Sequence, residues 1–465
     1  MSKLRTQFKR VHFVGIGGMG ISAAARLFVQ AGAVVSGSDR NATRATRALT
    51  KLGVPITIGE YRASSLPRNA DLIVFTKDEE YSNPELALGR KLGISVKSYP
   101  ESLPIILQDK AIIGVAGTHG KTTTTGMLGS VLVEAQRDPT IVVGSWFNFL
   151  QGNARYGEGR FAVLEADEYK RAFLHHTPTV AVVTNVEADH LNYYKNLEDV
   201  YDAFRSYVAR IPRHGALIAC ADDKGAQRVA STHQGCTLLY GLGPGADIRA
   251  RIQTLKGPQT RFTATYRGER LGSFLLRVPG EHNVKNALAA LAAASYAGVP
   301  ISDARRALAE FAGAWRRFEF KGERRGVTLI DDYAHHPTEV RATLKAARER
   351  FGKQRIIVVF QPHFYGRLKD FFKEFVSALC LADRVVVPPV YFVEGREDDP
   401  KVAERYNSLT LAAALNKKGT SAVATPSMSA AVPAALVGAK KGDVVMTIGA
   451  GTVTQLGPQI LKALA

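Results

Sequence analysis

A glycine-rich turn followed by lysine and threonine is the strongest chemical signal in the sequence. The stretch GTHGKT lies between a predicted strand, AIIGVAG, and a predicted helix, TTTTGMLGSVLVEA. At such a junction Lys121 can reach the β- and γ-phosphate oxygens of a nucleotide, and the hydroxyl of Thr122 can take a ligand position on Mg²⁺. A strict P-loop would place its first glycine at position 115, where this chain has Val115, so the turn is a compact variant. It predicts a nucleoside triphosphate site.

Polar residues after two later strands could complete that site with a metal. Glu165 ends the predicted strand FAVLE, which we expect beside the glycine turn, and Asp167 and Glu168 are nearby competitors for the same role. A second strand, VAVVTNV, is followed by EADH, so that His190 lies among carboxylates at the edge where α/β sheets bind ligands. We therefore predict that Glu165 is a metal ligand, while His190 either coordinates a further cation or is structural.

Another glycine turn lies near the start of the chain. Gly15, Gly17 and Gly20 have the spacing of the dinucleotide-binding fingerprint, and Asp39 ends the next predicted strand, where a ribose-binding acid belongs. Glycines let backbone N–H groups and a helix N-terminus approach a diphosphate closely. The pattern predicts a ligand that carries a diphosphate, nicotinamide or another. The alternative is a turn that only packs the helix against the strand.

The elements that must position these residues alternate between short β-branched runs and alanine-rich helical stretches. This alternation predicts parallel strands with crossover helices, and it restarts at KAIIGVAGTHG and at GVTLIDDYAHHP. Residues 246–279 instead have the short alternating runs of an antiparallel insertion. We predict an α/β chain of three domains: N-terminal Rossmann-like at 1–105, central P-loop ATPase-type with the small insertion at 106–318, and C-terminal Rossmann-like at 319–465.

Composition and charge narrow the function classes. No uninterrupted apolar run of about 18 residues occurs and no apolar signal core precedes the first strand, so we expect a cytoplasmic protein that does not act in a membrane. Three cysteines without metal-ligand spacing fit a reducing compartment. The net charge of +19 suits nucleic acid or polyanionic small molecules, but the basic residues are dispersed and no nucleic-acid motif stands out, which disfavours nucleic acid.

A set of short motifs occurs in the order found in one enzyme family. The motifs are GIGGMG, SGSD, GTHGKTTTT, EADE, TNVEADH, PGEHNVKNAL, RRFE, DDYAHHPTEV, FQPH and GAG. By these motifs, which span essentially the whole chain, the sequence resembles the Mur ligases, and most of all the branch that adds L-alanine. The resemblance implies an ATP-dependent amide-forming ligase of peptidoglycan precursor synthesis that uses ATP, Mg²⁺, UDP-N-acetylmuramate and L-alanine and works through an acyl phosphate. The first turn would then hold the UDP-sugar.

The resemblance also assigns roles to residues of this chain by their position in the motifs. Implied catalytic residues are Lys121, Glu165, His190, Arg317 and His335. The implied ATP site is Gly117, Thr118, His119, Gly120, Lys121, Thr122, Thr123, Asn283, Asn286, Arg317 and Asp332. The implied UDP-sugar site is Gly15, Gly17, Gly18, Gly20, Ser38 and Asp39, the amino-acid site is His335, His336 and Arg367, and the metal ligands are Thr122, Glu165 and His190. The segment KDEEYSNPE, 77–85, lies where the resemblance places the uracil.

Other functions stay open at this point. A close variant would attach a recycled peptide to UDP-N-acetylmuramate. From other classes, the chain could be a nicotinamide-dependent oxidoreductase fused to an NTPase, or a basic nucleic-acid-binding ATPase. DDYAHHP could also be only a helix start, with Pro337 in the first turn and Asp332 capping nearby. The expected state is a monomer or a homodimer.

Overall fold

A computed structural model describes residues 8–76, 82–191, 193–257, 259–392 and 399–465, so most of the charged segment KDEEYSNPE lies outside the described residues. The first sheet has the strand order β3-β2-β1-β4-β5, with parallel neighbours throughout. Its strands are β1 (Arg10–Val14), β2 (Val34–Asp39), β3 (Ile56–Ile58), β4 (Leu72–Phe75) and β5 (Ser95–Ser98), and its helices are α1 (Met19–Gln30), α2 (Arg44–Lys51), α3 (Pro84–Lys91) and α4 (Tyr99–Ile106). This order is Rossmann-like, as predicted.

The two central strands of the first sheet, β1 and β4, are the most deeply buried, because apolar side chains cover both of their faces. Phe13 of β1 packs in one core cluster and its neighbour Val14 packs in another. The strand order reverses between β1 and β4, and ligands of such sheets bind outside the carboxyl ends of the strands at that reversal. The turn at Gly15–Gly20 follows β1 and therefore lies at this position.

The second sheet runs β15-β14-β13-β12-β11-β10-β6-β9-β7-β8. Its strands are β6 (Ala111–Ala116), β7 (Thr140–Phe147), β8 (Gly152–Arg155), β9 (Phe161–Glu165), β10 (Val180–Val183), β11 (Ala216–Cys220), β12 (Cys236–Gly241), β13 (Ile248–Thr254), β14 (Thr260–Tyr266) and β15 (Glu269–Leu276). The helices are α5 (Lys121–Glu134), α6 (Leu197–Val208), α7 (Lys224–Ala230), α8 (Glu281–Tyr296) and α9 (Ile301–Glu310). The predicted insertion forms β13–β15, whereas the antiparallel pair β7–β8 was not predicted.

The third sheet has the order β16-β17-β21-β18-β19-β20, in which β16 is antiparallel to β17 and the other neighbours are parallel. Its strands are β16 (Glu319–Arg324), β17 (Val327–Asp332), β18 (Ile356–Phe360), β19 (Arg384–Val387), β20 (Ser421–Ala424) and β21 (Val444–Ile448). The helices are α10 (Pro337–Phe351), α11 (Tyr365–Asp370), α12 (Phe372–Leu379), α13 (Pro400–Arg405), α14 (Ser408–Lys417), α15 (Met428–Leu436) and α16 (Leu456–Ala463). Separate apolar clusters cover its two faces.

Three sheets confirm the predicted α/β class and three-part organisation, while the domain boundaries proposed from sequence stay predictions. The chain forms two compact units. The first comprises Met1–Arg251, Thr263–Phe274 and Lys285–Phe311, and the second comprises Ile252–Phe262, Leu275–Val284 and Ala312–Ala465. Among the described residues, no helix combines the length and the apolar character needed to cross a membrane.

Within the first unit, α1 of the first sheet packs directly on β7 and β8 of the second. Asn153 in β8 donates from Nδ2 to the carbonyl of Met19 (2.6 Å) and to Ser22 Oγ (2.9 Å). The apolar cluster under α1 also includes Val142 and Leu164 of the second sheet. One continuous core therefore serves both sheets, which places their two glycine turns on a shared framework.

Candidate active site

The second glycine turn joins β6 to α5, as predicted. Helix α5 begins at Lys121, directly after Gly120, whose backbone has a left-handed φ of +83°. A side chain at position 120 would also collide with α8, because its Cβ would lie 2.6 Å from Asn286 Oδ1. Both observations require glycine here. They also place Asn286 directly against the turn.

Residues after β10 fix the backbone of this turn. The Thr118 N–H donates to the carbonyl of Asn185 (3.0 Å), and the His119 N–H donates to Asn185 Oδ1 (2.8 Å). The Thr184 hydroxyl donates to the carbonyl of His119 (2.6 Å). The Glu187 N–H donates to Thr118 Oγ1 (2.9 Å). The residues at the carboxyl end of β10 therefore fix the conformation of the turn.

The ammonium of Lys121 is folded back over the turn. Its Nζ donates to the carbonyls of Gly117 (2.5 Å) and Thr118 (3.1 Å) and to Glu168 Oε1 (3.0 Å). Burial acts to lower the pKa of Lys121, but the charges of Glu168 and Asp167 outweigh it and raise that pKa. The side chain is therefore a cation at neutral pH, at the point where a nucleotide's terminal phosphates would lie.

Thr122 and Glu165 form the pair of oxygen donors predicted for a metal site. Thr122 Oγ1 donates to Glu165 Oε1 (2.8 Å), and the Gly144 N–H in β7 donates to Glu165 Oε2 (2.6 Å). Strand β9, which ends at Glu165, pairs in parallel with β6, so the expected position of this acid beside the turn is confirmed. Hydroxyl and carboxylate oxygens are the ligands that Mg²⁺ takes, so the residues present fit that ion.

Glu168 is the partner of Lys121 that sequence reasoning mentioned only as a competitor. Its carboxylate is buried, and burial raises its pKa to about 7 against the opposing charge of Lys121. His190 Nε2 lies 3.8 Å from Glu168 Oε1, and the His190 ring lies 4.6 Å from that of Tyr169. Lys121, Glu168 and His190 thus form one cluster. The sequence signal was the motif EADE, which does not say which of its three acids faces the lysine.

The first glycine turn is held by the end of β2. The Gly17 N–H donates to Asp39 Oδ2 (2.7 Å), and the Asn41 N–H donates to Asp39 Oδ1 (2.9 Å). The Gly15 N–H donates to the carbonyl of Ser38 (2.9 Å). Gly18 is the N-cap of α1, and the first N–H groups of a helix have no carbonyl partner within it. These N–H groups are available to an anion.

Ser38 belongs to a buried polar network beneath the first turn. Its hydroxyl donates to Glu85 Oε2 (2.8 Å), and His12 Nε2 lies 2.7 Å from the same oxygen. His12 Nδ1 lies 2.8 Å from Ser36 Oγ. Sequence reasoning missed His12 and Glu85, although a histidine inside the otherwise apolar β1 was a visible signal. The structure therefore places the Ser38 side chain in the protein interior.

The remaining predicted residues lie in the second unit, where Asp332 ends β17. Asp332 Oδ2 accepts the Phe318 N–H (2.7 Å), and Oδ1 accepts the Ala334 N–H (2.8 Å). Burial raises the pKa of Asp332 to about 6, although the charge of Arg317 opposes the shift. The Arg317 guanidinium lies over the ring of Tyr333, 5.3 Å from its centre. Asp332 and Arg317 are therefore brought together.

The two histidines of DDYAHHP have different environments. His336 is the buried N-cap of α10, which starts at Pro337, so this motif does begin a helix. His335 Nδ1 lies 3.1 Å from the carbonyl of Tyr333 and 3.3 Å from Glu339 Oε2. Both residues contact Glu339: His335 through its ring and its backbone N–H, and His336 through its backbone N–H in the capping box of α10.

Asn283 and Arg367 are both buried. Asn283 donates from Nδ2 to the carbonyl of Pro279 (2.7 Å) at the start of α8. The Arg367 guanidinium lies over the ring of Phe364, 4.8 Å from its centre. Phe364 itself has a left-handed φ of +50° just before α11. A bulky residue in that conformation indicates backbone strain at this place.

Arg316 is a buried arginine that sequence reasoning did not single out. Its Nε donates to Asp331 Oδ2 (2.9 Å), and its terminal nitrogens donate to the carbonyls of Gly449, Ala450 and Gly451. The residue is almost fully buried. Arg316 thus ties the GAG loop after β21 to the end of β17. The doublet RR was the signal, but it did not reveal which arginine is buried.

The chain is similar to one family of known proteins over nearly its whole length. Family models described as "Mur ligase family, catalytic domain", "Mur ligase middle domain" and "Mur ligase, glutamate ligase domain" match residues 10–111, 115–294 and 316–451. A UDP-N-acetylmuramate–L-alanine ligase from Trichlorobacter lovleyi is 41% identical, with 98% of this chain and 99% of that protein covered.

Two solved structures are similar along most of the fold. A UDP-N-acetylmuramate–alanine ligase from Thermotoga maritima has a TM-score of 0.83 and 29% identity, with 98% of this chain and 99% of that chain covered. A murein peptide ligase from Psychrobacter arcticus has a TM-score of 0.71 and 26% identity, with 98% of each chain covered.

Proposed function

Because this chain belongs to the Mur ligase family, we propose that it joins L-alanine to the lactyl carboxylate of UDP-N-acetylmuramate while ATP is converted to ADP and phosphate. It is an ATP-dependent amide-forming ligase acting on small molecules. One observation carries the proposal: the two glycine turns lie in the same compact unit. The second turn carries Lys121 beside Glu168 and Thr122 beside Glu165, and the first offers backbone N–H groups. Two anions can therefore be held on one framework.

The chemistry requires such a pair of sites. An amine does not displace oxygen from a carboxylate at neutral pH, because the leaving group is too poor. A lactyl carboxylate oxygen attacks the γ-phosphorus of ATP, ADP leaves, and an acyl phosphate forms. The neutral α-amine of alanine then attacks the acyl carbon, phosphate leaves, and the amine's proton is lost as the amide forms. Lys121 offsets negative charge at the phosphoryl group during the first step.

Thr122 and Glu165 are the residues that would hold Mg²⁺ in this reaction, because both present hard oxygen donors beside Lys121. The ion supplies Lewis-acid charge stabilisation at the phosphate oxygens. His190 is the remaining candidate ligand, and its position near Glu168 also fits a role in holding that carboxylate. The fit is therefore strongest for the two oxygen donors.

The nucleotide sugar is assigned to the first turn. Gly15, Gly17, Gly18 and Gly20 provide close backbone approach, and Asp39 keeps the turn in shape through the Gly17 N–H. Ser38 supports the turn from below through its carbonyl. These contacts favour a diphosphate. The family membership favours UDP-N-acetylmuramate over nicotinamide as its carrier.

The adenosine and amino-acid assignments extend to the second unit. Asp332 would accept hydrogen bonds from the ATP ribose, and Asn283 and Asn286 would flank the adenine. Arg317 would add positive charge at the phosphates. His335, His336 and Arg367 would meet the incoming amino acid.

The test is phosphate release by the full chain with ATP, MgCl₂ and UDP-N-acetylmuramate. L-Alanine should give the highest rate among L-alanine, glycine, L-serine and the tripeptide L-Ala-γ-D-Glu-meso-diaminopimelate. A tripeptide rate above the alanine rate would replace the proposal with the peptide-attaching alternative, which the similarity to the Psychrobacter arcticus ligase supports. Release that does not depend on any acceptor would refute both.

A further inference from the structure

We propose that Tyr99 binds the sugar-acid part of the nucleotide sugar, with its hydroxyl donating a hydrogen bond to the lactyl carboxylate. This inference rests on the proposed function, since it names a contact to that substrate. Tyr99 is the first residue of α4, the last helix of the first sheet before β6. Neither glycine motif includes it, and nothing in its sequence surroundings marks it as a functional residue.

The first observation is that Tyr99 touches the first glycine turn. A Cβ built at Gly20 would lie 2.8 Å from Tyr99 Cε1 and 3.4 Å from its hydroxyl oxygen. Gly20 is the second residue of α1, where N–H groups are open to an anion. The phenol therefore lies at the edge of the place proposed for the diphosphate.

The second observation is that the same side chain interacts electrostatically with Glu165 and Asp167 of the second site. Burial, together with the charges of Glu165 and Asp167, raises the pKa of Tyr99 well above its usual value. The hydroxyl is thus protonated and able to donate at neutral pH. The ring that touches Gly20 of the first turn is therefore also within electrostatic range of Glu165 at the second, so a molecule that bridges the two turns would lie near this hydroxyl. In UDP-N-acetylmuramate the part between those ends is the hexosamine with its lactyl carboxylate.

The third observation is that the hydroxyl has no hydrogen-bond partner among the described residues. Tyr99 forms no side-chain hydrogen bond with any residue in the described part of the chain; its carbonyl accepts the Ser102 hydroxyl (2.7 Å). Tyr99 is partly buried, so its hydroxyl can donate to a ligand that displaces water from the space between the two anion sites. A carboxylate is the strongest acceptor on the bridging part of the substrate.

The test compares the full-length enzyme with Tyr99→Phe, which removes one oxygen atom. Isothermal titration should show the Kd for UDP-N-acetylmuramate rising about tenfold, the usual effect of losing one hydrogen bond to a charged group. The Kd values for UDP and for UDP-N-acetylglucosamine, which lacks the lactyl group, should stay within about twofold. The KM for ATP should not change, whereas the KM for UDP-N-acetylmuramate should rise.

Tyr207→Phe is the matched control. Tyr207 is fully buried, its ring is stacked on Phe173 at 4.6 Å, and its hydroxyl is also without a hydrogen-bond partner among the described residues. It packs under β6 against Gly114, in the core and away from the first turn. This variant should leave every nucleotide affinity unchanged.

Three results would overturn the inference. Equally weaker binding of UDP and of UDP-N-acetylmuramate would show that the hydroxyl contacts the diphosphate. Weakening shared with UDP-N-acetylglucosamine would place it on the hexosamine, and no weakening at all would remove it from the substrate. A wild-type enzyme that neither binds UDP-N-acetylmuramate nor releases phosphate with it refutes the proposed function itself, which distinguishes that failure from the failure of Tyr99 alone.

Discussion

The two glycine turns share a strand–turn–helix design but differ in what they offer a ligand. The first turn is closed by Asp39, which accepts the Gly17 N–H, so its contribution to a ligand is backbone N–H groups. The second carries Lys121 and the Thr122–Glu165 pair, so it adds a cation and oxygen donors that fit a metal ion. The side chains that follow the glycines therefore distinguish a turn that only binds its ligand from one that would also take part in the reaction.

Substitutions can separate the roles of the two turns. Changes in the second turn should affect ATP use and leave UDP-sugar affinity intact, and changes in the first turn should do the reverse. Four experiments, with five substitutions between them, follow in order of decreasing effect.

Lys121→Ala should give the largest loss. Removal of the cation should lower kcat by about 10³-fold, the scale of a lost preorganised charge at a phosphoryl group. The Kd for UDP-N-acetylmuramate should stay within about twofold, measured by titration. Lys110→Ala is the control, because its ammonium also holds two carbonyls, those of Gly157 and Gly159 (2.7 Å each), at a turn outside the site. If Lys121→Ala abolished UDP-sugar binding too, the two turns would form a single site.

Alanine at Gly120 and at Gly20 gives a matched pair. Gly120→Ala should raise the Kd for an ATP analogue by about tenfold to a hundredfold, because position 120 combines a φ of +83° with a collision between the new side chain and Asn286. Gly20→Ala should raise the Kd for UDP-N-acetylmuramate by about tenfold or less, since only the edge of the Tyr99 ring must move. Titration of each variant with both ligands checks the pair. Equal loss of both ligands in either variant would contradict the separation.

Asp332 should make ATP affinity depend on pH. Its carboxyl is charged above its raised pKa of about 6 and neutral below it, so its acceptor strength toward the ribose falls as pH falls through that value. The Kd for an ATP analogue should rise about fourfold between pH 7.5 and pH 5.5 relative to Asp332→Asn, which has no charge to lose. Identical pH profiles for the two proteins would remove Asp332 from the nucleotide site.

Ser38→Ala should give the smallest effect on binding. Its hydroxyl donates to the buried Glu85, so its loss should cost about 1 kcal/mol of stability and lower the melting temperature slightly. UDP-N-acetylmuramate affinity should change less than about twofold. A tenfold loss of affinity with an unchanged melting temperature would show instead that Ser38 contacts the ligand directly.

The sequence was sufficient for features that are local. Each predicted strand–turn–helix junction was correct because glycine spacing and apolar runs act over a few residues. The position of Glu165 was also predictable, since the carboxyl ends of neighbouring parallel strands meet at one edge.

Features that depend on distant contacts were not predictable. Glu168 and Lys121 lie 47 positions apart, and no residue pattern indicates which of the acids after β9 contacts the lysine. Gly144 contributes only an N–H to Glu165, and a backbone donor has no sequence signature. The buried pair of His12 and Glu85 lies 73 positions apart.

The continuous core under α1 bears on how this protein could be divided for biochemical work. Residues Val142, Ala154, Ala162 and Leu164 pack in the same cluster as Phe13, Leu27 and Phe28. A fragment ending near residue 105 would leave the apolar side of α1 open to water and would be expected to aggregate. A nucleotide-sugar biosensor derived from this chain should therefore retain the hairpin at 140–155, and a fusion junction should be sought elsewhere.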